Sequence, residues 1–221
     1  MHLAIESASD NVGIALAEAG VVSMMATWET QQRHSVELLP NIERLLADAG
    51  RTKANVSAIL VDIGPGGYAA LRVGVSTAKA LAHGLGVAIA GVGRLELDAR
   101  CLGDDAGGRR IIAMHRAGRG ESAWAIYQRD GSGWREIAAP RIAKTPEMLG
   151  EVAFGDVLTG DIDDALADAA RERGASIAAP GVHRVVALAA AGHERLAAGL
   201  ADDPAALVPL YLRAPAIGPQ G

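Results

Sequence analysis

The segment VSAILVDIGPGGYAALRVGVSTAKALAHGLGVAIAGVG, from Val56 to Gly93, decides the fold of this chain. Its two ends, VSAILVDIG and GVAIAGVG, are short and almost continuously apolar, which is typical of strands buried within a parallel sheet. Between them, apolar residues recur at helical spacing, which predicts a helix from about Tyr68 to His83. The segment therefore predicts a strand, a helix and a second strand parallel to the first.

Three further strands and one helix are predicted on the N-terminal side of this segment. The strands HLAIES, VGIALAEA and VVSMMATWE follow one another closely, so they are expected to form an antiparallel meander. The helix VELLPNIERLLADAG carries leucine and isoleucine at helical spacing and is expected to end at Gly50. Residues 1–100 thus give the order βββαβαβ.

A similar set of elements is predicted after the Gly- and Asp-rich segment CLGDDAGGRR. A second meander is expected at IIAMHRA, ESAWAIYQRDG and GWREIAAPRI, with a turn at RDGSG between its last two strands. Three helices and one strand follow, at PEMLGEV, GDVLTGD (the strand), DIDDALADAARERG and HRVVALAAAGHERLAAGL. We therefore expect two lobes, residues 1–100 and 101–221. Such a duplication suggests an α/β protein with a duplicated ribonuclease-H-like fold, the architecture of actin, sugar kinases and the 70-kDa chaperones.

Composition and charge restrict the classes of partner. The net charge is −5, and acidic residues exceed basic ones both before and after residue 100, by 10 to 8 and by 16 to 13. Aromatic residues make up only 3 % of the chain. A protein that grips nucleic acid by itself needs a cationic surface, so we expect weak binding of tRNA by the isolated chain. A single cysteine, no leader-like N-terminus and no long apolar run predict a cytoplasmic protein without a membrane segment.

Two loops are candidates for contact with a nucleotide. The Gly-Pro-Gly-Gly loop lacks the lysine and hydroxyl residue of a Walker loop and does not fit the dinucleotide-binding glycine pattern. A turn that begins a helix is the simpler interpretation, and a plain polar hairpin turn is the simpler interpretation of ESASDN. If a vestigial nucleotide loop exists, its residues are Glu6, Ser7, Gly64, Gly66 and Gly67. No histidine or cysteine spacing fits a metal site, and no nucleophile has a recognisable base, so we expect no catalytic residue, metal or cofactor.

Four segments follow one another in a telling order: RHSVELLPNIERLLADAG, GPGGYAALRVGVSTAKALAHGLGVAIAGVGRLELDA, LTGD and the terminal PLYLR. Together they resemble the TsaB (YeaZ) family, bacterial partner proteins in the synthesis of threonylcarbamoyladenosine in tRNA. The resemblance implies a non-catalytic subunit that forms a heterodimer with a TsaD-type transferase. With an ATPase subunit of the same complex, it would support threonylcarbamoyl transfer to the adenosine beside the anticodon, and it would meet tRNA only through that complex.

Two short segments depart from the TsaB pattern. The family usually has DTS after the first strand, where this chain has Glu6, Ser7 and Ala8. A DAR in the second half of the family aligns with HRA here, so His115 stands where the family has an acid. The function of that acid is therefore not carried over to this chain.

A third departure concerns the metal site of the related TsaD proteins. Their His-x-x-x-His pair follows the strand after the Gly-Pro-Gly helix, and this chain has Arg94 and Asp98 at those positions. A guanidinium cannot ligate a metal ion, so the resemblance implies that the catalytic metal site is absent. This argues against one rival interpretation, a metallopeptidase-like enzyme. A second rival, a small-molecule kinase of the same fold, would need a catalytic base that the sequence does not reveal.

A partner surface is predicted on the two N-terminal helices. In the helix after the Gly-Pro-Gly loop, one apolar face (Leu71, Val75, Ala78, Ala82) is expected to cover the sheet. A second face of small residues remains for a partner helix, because small side chains allow close approach. Its members are Ala70, Val73, Thr77 and Ala80, and the preceding helix adds Val36, Pro40 and Ala47 beside Glu43. Whether isolated chains form a homodimer through this surface is left open by the sequence.

Overall fold

The structure is a computed structural model that describes residues 1–131, 133–181 and 183–212. Ser132 of the predicted RDGSG turn and Arg213 of PLYLR lie outside the described residues. Among the described residues, no helix is both long enough and apolar enough to cross a lipid bilayer.

In the part of the chain that the structure describes, ten strands and six α-helices are arranged in two sets. The first set is β1 His2–Glu6, β2 Asn11–Glu18, β3 Val21–Glu29, α1 His34–Asp48, β4 Ala58–Asp62, α2 Tyr68–Leu85, β5 Ala88–Val92 and α3 Arg94–Arg100. The second is β6 Arg110–Gly118, β7 Glu121–Asp130, β8 Gly133–Lys144, α4 Thr145–Leu149, β9 Val157–Gly160, α5 Asp164–Arg171, β10 Ser176–Ile177 and α6 Arg184–Ala197. The predicted meanders and the predicted βαβ segment are present in the expected order. Two short elements, α3 and β10, were not predicted, because the apolar residues of α3 alternate instead of recurring at helical spacing and β10 has only 2 residues.

The two sheets have the same topology. The first has the strand order β3-β2-β1-β4-β5, and the second has the equivalent order β8-β7-β6-β9-β10. In each, an antiparallel meander is followed by two strands that run parallel to its first strand. The duplicated ribonuclease-H-like fold predicted from the sequence is therefore confirmed.

The two faces of the first sheet differ in side-chain size. Leu3, Ile5, Ile59 and other large residues point to the face covered by α1 and α2. The opposite face carries mainly alanine, and helix α6 lies on it through Val185 and Leu188. Small residues let this helix approach closely, since a Cβ added at Gly192 would lie 2.7 Å from the Leu60 side chain.

By its internal contacts the chain divides into two units. Unit 1 comprises Met1–Leu97 and the segment Val182–Pro209, and unit 2 comprises Asp98–Gly181 with the described residues after Pro209. The sequence-based division had placed all residues after 100 in the second lobe. That division needs correction for α6, because the alanine-lined face of the first sheet requires a covering helix and α6 provides it.

The core of unit 2 lies on one face of its own sheet. Helix α4 contributes Met148 and helix α5 contributes Leu166 and Ala170, which pack on residues of β6, β7 and β9. Trp124 on β7 is one of the largest fully buried side chains. The loop after β9 and the hairpin between β6 and β7 lie at the same end of this sheet.

Candidate functional site

Two carboxylates lie side by side at the ends of the central parallel strands of unit 1. The register pairs Ile5 of β1 with Val61 of β4, so the next residues are Glu6 and Asp62. Both are buried, with 4 % and 0 % of their surfaces exposed. Two acids in one low-dielectric position repel each other, so the site requires compensating charge.

Arginine side chains from two other elements supply that charge. Arg184, at the first residue of α6, places its Nε 3.5 Å from Glu6 Oε1 and donates from Nη2 to Ser9 Oγ at 3.0 Å. Arg94, at the start of α3, is 5 % exposed and its charge also acts on Asp62. The backbone N–H of Ala8 donates to Glu6 Oε1 at 3.2 Å. Glu6 is therefore contacted by a cation and a backbone N–H of this chain itself.

The surroundings of Asp62 strongly perturb its pKa. Burial, and then the neighbouring charge of Glu6, raise the pKa of Asp62 well above its usual value, against the opposing effects of Arg94 and Arg184. One oxygen, Oδ1, accepts the backbone N–H of Gly64 at 2.7 Å. Among the described residues the other oxygen, Oδ2, has no hydrogen-bond partner. This carboxyl favours its neutral form.

The glycines of the Gly-Pro-Gly loop are packed against the first hairpin turn. A Cβ added at Gly66 would lie 2.3 Å from the carbonyl oxygen of Ala8, and the N–H of Gly67 donates to that oxygen at 2.9 Å. The carbonyl of Gly64 accepts the N–H of Arg94 at 2.7 Å. The structure thus brings together Glu6, Ser7, Gly64, Gly66 and Gly67, the residues predicted for a vestigial nucleotide loop. Their close mutual contacts favour the simpler interpretation, a turn that begins a helix.

Arg94 and Asp98 lie about one turn apart on α3, a helix that was not predicted from the sequence. Both are buried, with 5 % and 0 % of their surfaces exposed. Within the described part of the chain, no three side chains of His, Cys, Asp or Glu converge as metal ligands would.

The equivalent position in unit 2 holds a histidine and an aspartate. The register pairs Met114 of β6 with Gly160 of β9, so His115 and Asp161 are the next residues. His115 Nδ1 lies 2.5 Å from Asp161 Oδ2, which also accepts the backbone N–H of Arg116 at 3.2 Å. The segment HRA has no acid, but Asp161 of LTGD follows the neighbouring strand β9 directly and places an acid beside it. This pairing was not predicted, because it depends on the register of two strands more than forty residues apart.

The predicted partner surface lies on two neighbouring helices. Helices α1 and α2 both pack on the large-residue face of the first sheet. The five exposed members of the predicted surface are Val36, Pro40, Glu43, Ala47 and Ala80. Val36 has 58 % of its surface exposed although it is apolar. The two helices thus present apolar residues to solvent side by side.

Three members of the predicted surface are less accessible. Val73 and Thr77 are half-buried, and Val73 packs against the core beneath α2. Ala70 is only 6 % exposed, so its assignment to the free face is corrected. The cause is the first hairpin turn, since Ser7 Oγ donates to the Ala70 carbonyl at 3.4 Å and covers this part of α2.

Two apolar residues were missed as members of the same surface. Leu39 on α1 and Tyr68 at the start of α2 are 47 % and 48 % exposed. Leu39 follows the buried Leu38, and adjacent helical residues are separated by about 100°, so the helical wheel could have identified it. Tyr68 bears Arg72 over its ring, with the guanidinium carbon 5.4 Å from the ring centroid and Nη1 donating to the hydroxyl at 2.9 Å. Tyr68 and Arg72 stand four positions apart in the predicted helix, so their spacing could have indicated this contact.

Two sheets of identical strand order define the class of the protein, a duplicated ribonuclease-H-like fold. In its first unit, side chains and backbone of the chain itself fill the space beside the candidate nucleotide loop. The family model described as TsaD, tRNA N6-adenosine threonylcarbamoyltransferase, matches residues 27–155. Together with the Escherichia coli relative below, this match shows that the chain belongs to the TsaB (YeaZ) family.

Three relatives illustrate the similarity. The tRNA threonylcarbamoyladenosine biosynthesis protein TsaB of Escherichia coli is 32 % identical over 151 residues, which cover 67 % of this chain and 64 % of that protein. An uncharacterised protein of Mycobacterium tuberculosis is 36 % identical over 190 residues, covering 82 % and 76 %. YeaZ from Pseudomonas aeruginosa superposes with a TM-score of 0.78 at 21 % identity, covering 94 % of this chain and 98 % of that one. The last similarity concerns the fold alone.

Proposed function

We propose that this chain is a non-catalytic subunit in the synthesis of threonylcarbamoyladenosine in tRNA. It forms a heterodimer with a TsaD-type transferase through the exposed surface of α1 and α2. With the ATPase subunit of the same complex, it supports threonylcarbamoyl transfer to the adenosine beside the anticodon. The names of the Escherichia coli and Bacillus subtilis relatives support the pathway. Contact with tRNA is made only through the complex.

The exposed helix surface is the observation that carries this proposal. Val36, Leu39 and Tyr68 each have about half of their surface in contact with solvent, at 58 %, 47 % and 48 %. They lie on two adjacent helices whose other faces are already buried in the core. Contiguous apolar residues on a monomer mark interaction surfaces more often than isolated ones do. A partner that covers α1 and α2 with its own helices would bury all three.

The buried charge cluster supports a non-catalytic role. A phosphotransferase of this fold would need an acid that reaches its substrate, and Asp62 is fully buried beneath the Gly-Pro-Gly loop. Glu6 is bound by Arg184. Arg94 takes the place of the first histidine of the TsaD metal pair. These contacts disfavour both rivals, the small-molecule kinase and the metallopeptidase-like enzyme.

The interface is tested by placing a charge at its most exposed aliphatic residue. Val36 lies in the first turn of α1, where an acidic side chain is favoured by the helix dipole, so Val36→Asp should fold normally. Burial of an unpaired carboxylate against the transferase should weaken their association at least about tenfold. The matched control is Val21→Asp, which changes a 72 % exposed valine of the same unit on β3. Val73 is unsuitable because it also packs against the core.

The two variants are compared by thermal melting and by titration with the transferase of the same organism. The proposal requires normal melting of both variants, and lost transferase binding for Val36→Asp only. Equal binding by both variants would remove α1 from the interface. If only self-association is lost, the surface serves a homodimer instead.

The non-catalytic role is tested in a reconstituted transfer reaction. The purified chain should transfer no threonylcarbamoyl group to tRNA alone, and its addition should stimulate the transferase with its ATPase partner. Transfer by this chain without the transferase would overturn the proposal. Elemental analysis of the active preparation would then identify any bound metal.

A further inference from the structure

A cleft in unit 2 is lined by none of the residues of the helix surface or of the buried charge cluster. It has a volume of about 340 Å³ and opens beside the hairpin between β6 and β7. Cavities of this size hold small molecules. Its apolar part is formed by Met114, Pro146, Leu149 and Leu166.

Most acidic and basic groups of the cleft wall lie beside a group of the opposite kind. Arg116 Nη1 lies 3.3 Å from Asp163 Oδ2. Asp161 is held by His115, and Lys144 Nζ lies 3.8 Å from Glu121 Oε1. Each acid that lines the cleft therefore has a basic neighbour, so the wall offers little net attraction to a ligand cation.

Arg119 is the exception. It is exposed and lines the cleft. In the described ranges 1–131, 133–181 and 183–212, its guanidinium forms no ion pair or hydrogen bond. A guanidinium binds a carboxylate through two parallel N–H donors, and no group of the described residues accepts from them here.

The hairpin holds Arg119 in a conformation that few side chains adopt. Its φ is +56°, between Gly118 at +74° and Gly120 at +69°. Non-glycine residues at positive φ are strained and occur often at functional sites. Two residues outside the hairpin hold this turn in place. Lys144 Nζ donates to the Arg119 carbonyl at 3.0 Å, and the N–H of Thr145 donates to the Gly120 carbonyl at 3.2 Å.

We propose that this cleft binds a small organic carboxylate, with the carboxylate on the Arg119 guanidinium and the apolar body over Met114, Leu149 and Leu166. A monoanion matches the single uncommitted cation. A phosphate dianion fits less well, because Glu121, Asp161 and Asp163 line the same cleft and would repel the second charge. The apolar floor favours a ligand with a hydrocarbon part over a bare anion.

The proposal is tested by titrating the full chain with hexanoate, monitored by the amide signals of an NMR spectrum. Hexanol and hexylamine of equal chain length are the matched neutral and cationic probes, and acetate is the probe without an apolar body. A fragment of this size should bind with a dissociation constant on the order of millimolar. Hexanoate should shift the signals of Gly118, Gly120 and Thr145, and the other three probes should bind at least about fivefold more weakly.

Hexylamine binding as tightly as hexanoate would overturn the assignment of the anion to Arg119. Acetate binding as tightly as hexanoate would overturn the assignment of the apolar floor. Shifts confined to other parts of the chain would show that hexanoate binds elsewhere and would overturn the site itself.

Three variants separate the guanidinium from the fold of the turn. Arg119→Asn removes the charge and keeps a residue that tolerates positive φ, so the hairpin should persist. Its affinity for hexanoate should fall at least about tenfold, and Arg119→Lys should retain part of the affinity. The control Arg135→Asn makes the same change of net charge at an exposed residue of β8 and should bind like the parent chain. Unchanged binding by Arg119→Asn, or equal losses in Arg119→Asn and Arg135→Asn, would refute the proposal.

Discussion

The two units share one strand order but have different charges at the ends of their two central parallel strands. In unit 1 the paired positions hold Glu6 and Asp62, two acids. In unit 2 they hold His115 and Asp161, an acid and its own hydrogen-bonding partner. The shared topology brings two side chains together at this position. Their charges decide whether the site needs compensating charges from other elements.

Unit 2 satisfies its pair locally. The side chains of His115 and Asp161 remain 20 % and 34 % exposed, so this pair is accessible to solvent. Unit 1 buries both acids and must bring in Arg94 from α3 and Arg184 from α6. The charge cluster therefore fastens two helices to the first sheet, while the second sheet has no such dependence at this position.

The largest expected effect is the loss of Arg184. Replacement by Met removes the guanidinium and leaves Glu6 buried without the cation of this ion pair, which should reduce the free energy of unfolding by roughly 3–5 kcal/mol. In unit 2, Arg116→Met breaks an ion pair whose side chains are 64 % and 50 % exposed, and it should cost less than about 1 kcal/mol. Urea unfolding followed by circular dichroism measures both.

The double variant Arg184→Met with Glu6→Gln separates charge from packing. If the buried charge causes the loss, removal of the carboxylate should restore a large part of the stability. An additive double variant would show that Arg184 acts only by filling space. Similar losses for Arg184→Met and Arg116→Met would remove the contrast between the two units.

Much of the fold could be predicted because it depends on local patterns. The start of α2 at Tyr68 follows the Gly-Pro-Gly loop, and the order of strands follows from apolar runs and turns. The position of α6 could not be predicted in this way. Its apolar face was visible, but the alanine-lined side of a distant sheet decides where that face packs.

The site was predictable only as a set of candidates. Glu6 and the loop glycines were identified from sequence, and the structure does bring them together. Arg184 was missed because 178 positions separate it from Glu6 and no periodicity connects them. Asp62 was missed because it ends an apolar strand and resembles an ordinary turn residue. Such pairs depend on tertiary packing, which a single sequence does not encode as a local pattern.

A smaller effect is expected from a methyl group in the Gly-Pro-Gly loop. A Cβ at Gly66 would lie 2.3 Å from the backbone oxygen of Ala8, which has little freedom to move, so Gly66→Ala should destabilise the chain by about 1–3 kcal/mol. The control is Gly84→Ala on α2, where the new Cβ meets no atom within 4 Å. It should stabilise by about 0.5–1 kcal/mol, because alanine favours the helix. Thermal melting with the same sign for both variants would contradict the tight packing of the loop.

The smallest expected effect is a difference in the pH dependence of stability between Asp62 and Asp161, the aspartates at the equivalent positions of the two units. The pKa of Asp62 is raised on folding, chiefly by burial, so the folded chain holds a proton that the unfolded chain releases as the pH rises above about 4. The contribution of Asp62 to the free energy of unfolding is therefore fully present at low pH. It is lost as the pH rises through the pKa that Asp62 has in the folded chain. Asp62→Asn keeps the oxygen that accepts the Gly64 N–H and cannot ionise, so this loss should disappear.

We expect Asp62→Asn to match the parent chain near pH 4 and to exceed its stability at pH 8 by on the order of 1 kcal/mol. Asp161→Asn should have the opposite sign at pH 8, a loss of about 1 kcal/mol, because the carboxylate there accepts hydrogen bonds from His115 and from the backbone of Arg116. Urea unfolding of both variants at several pH values measures the two signs. If Asp62→Asn is the less stable chain at pH 8, the carboxylate of Asp62 is ionised and paired, and the two units handle their charges in the same way after all.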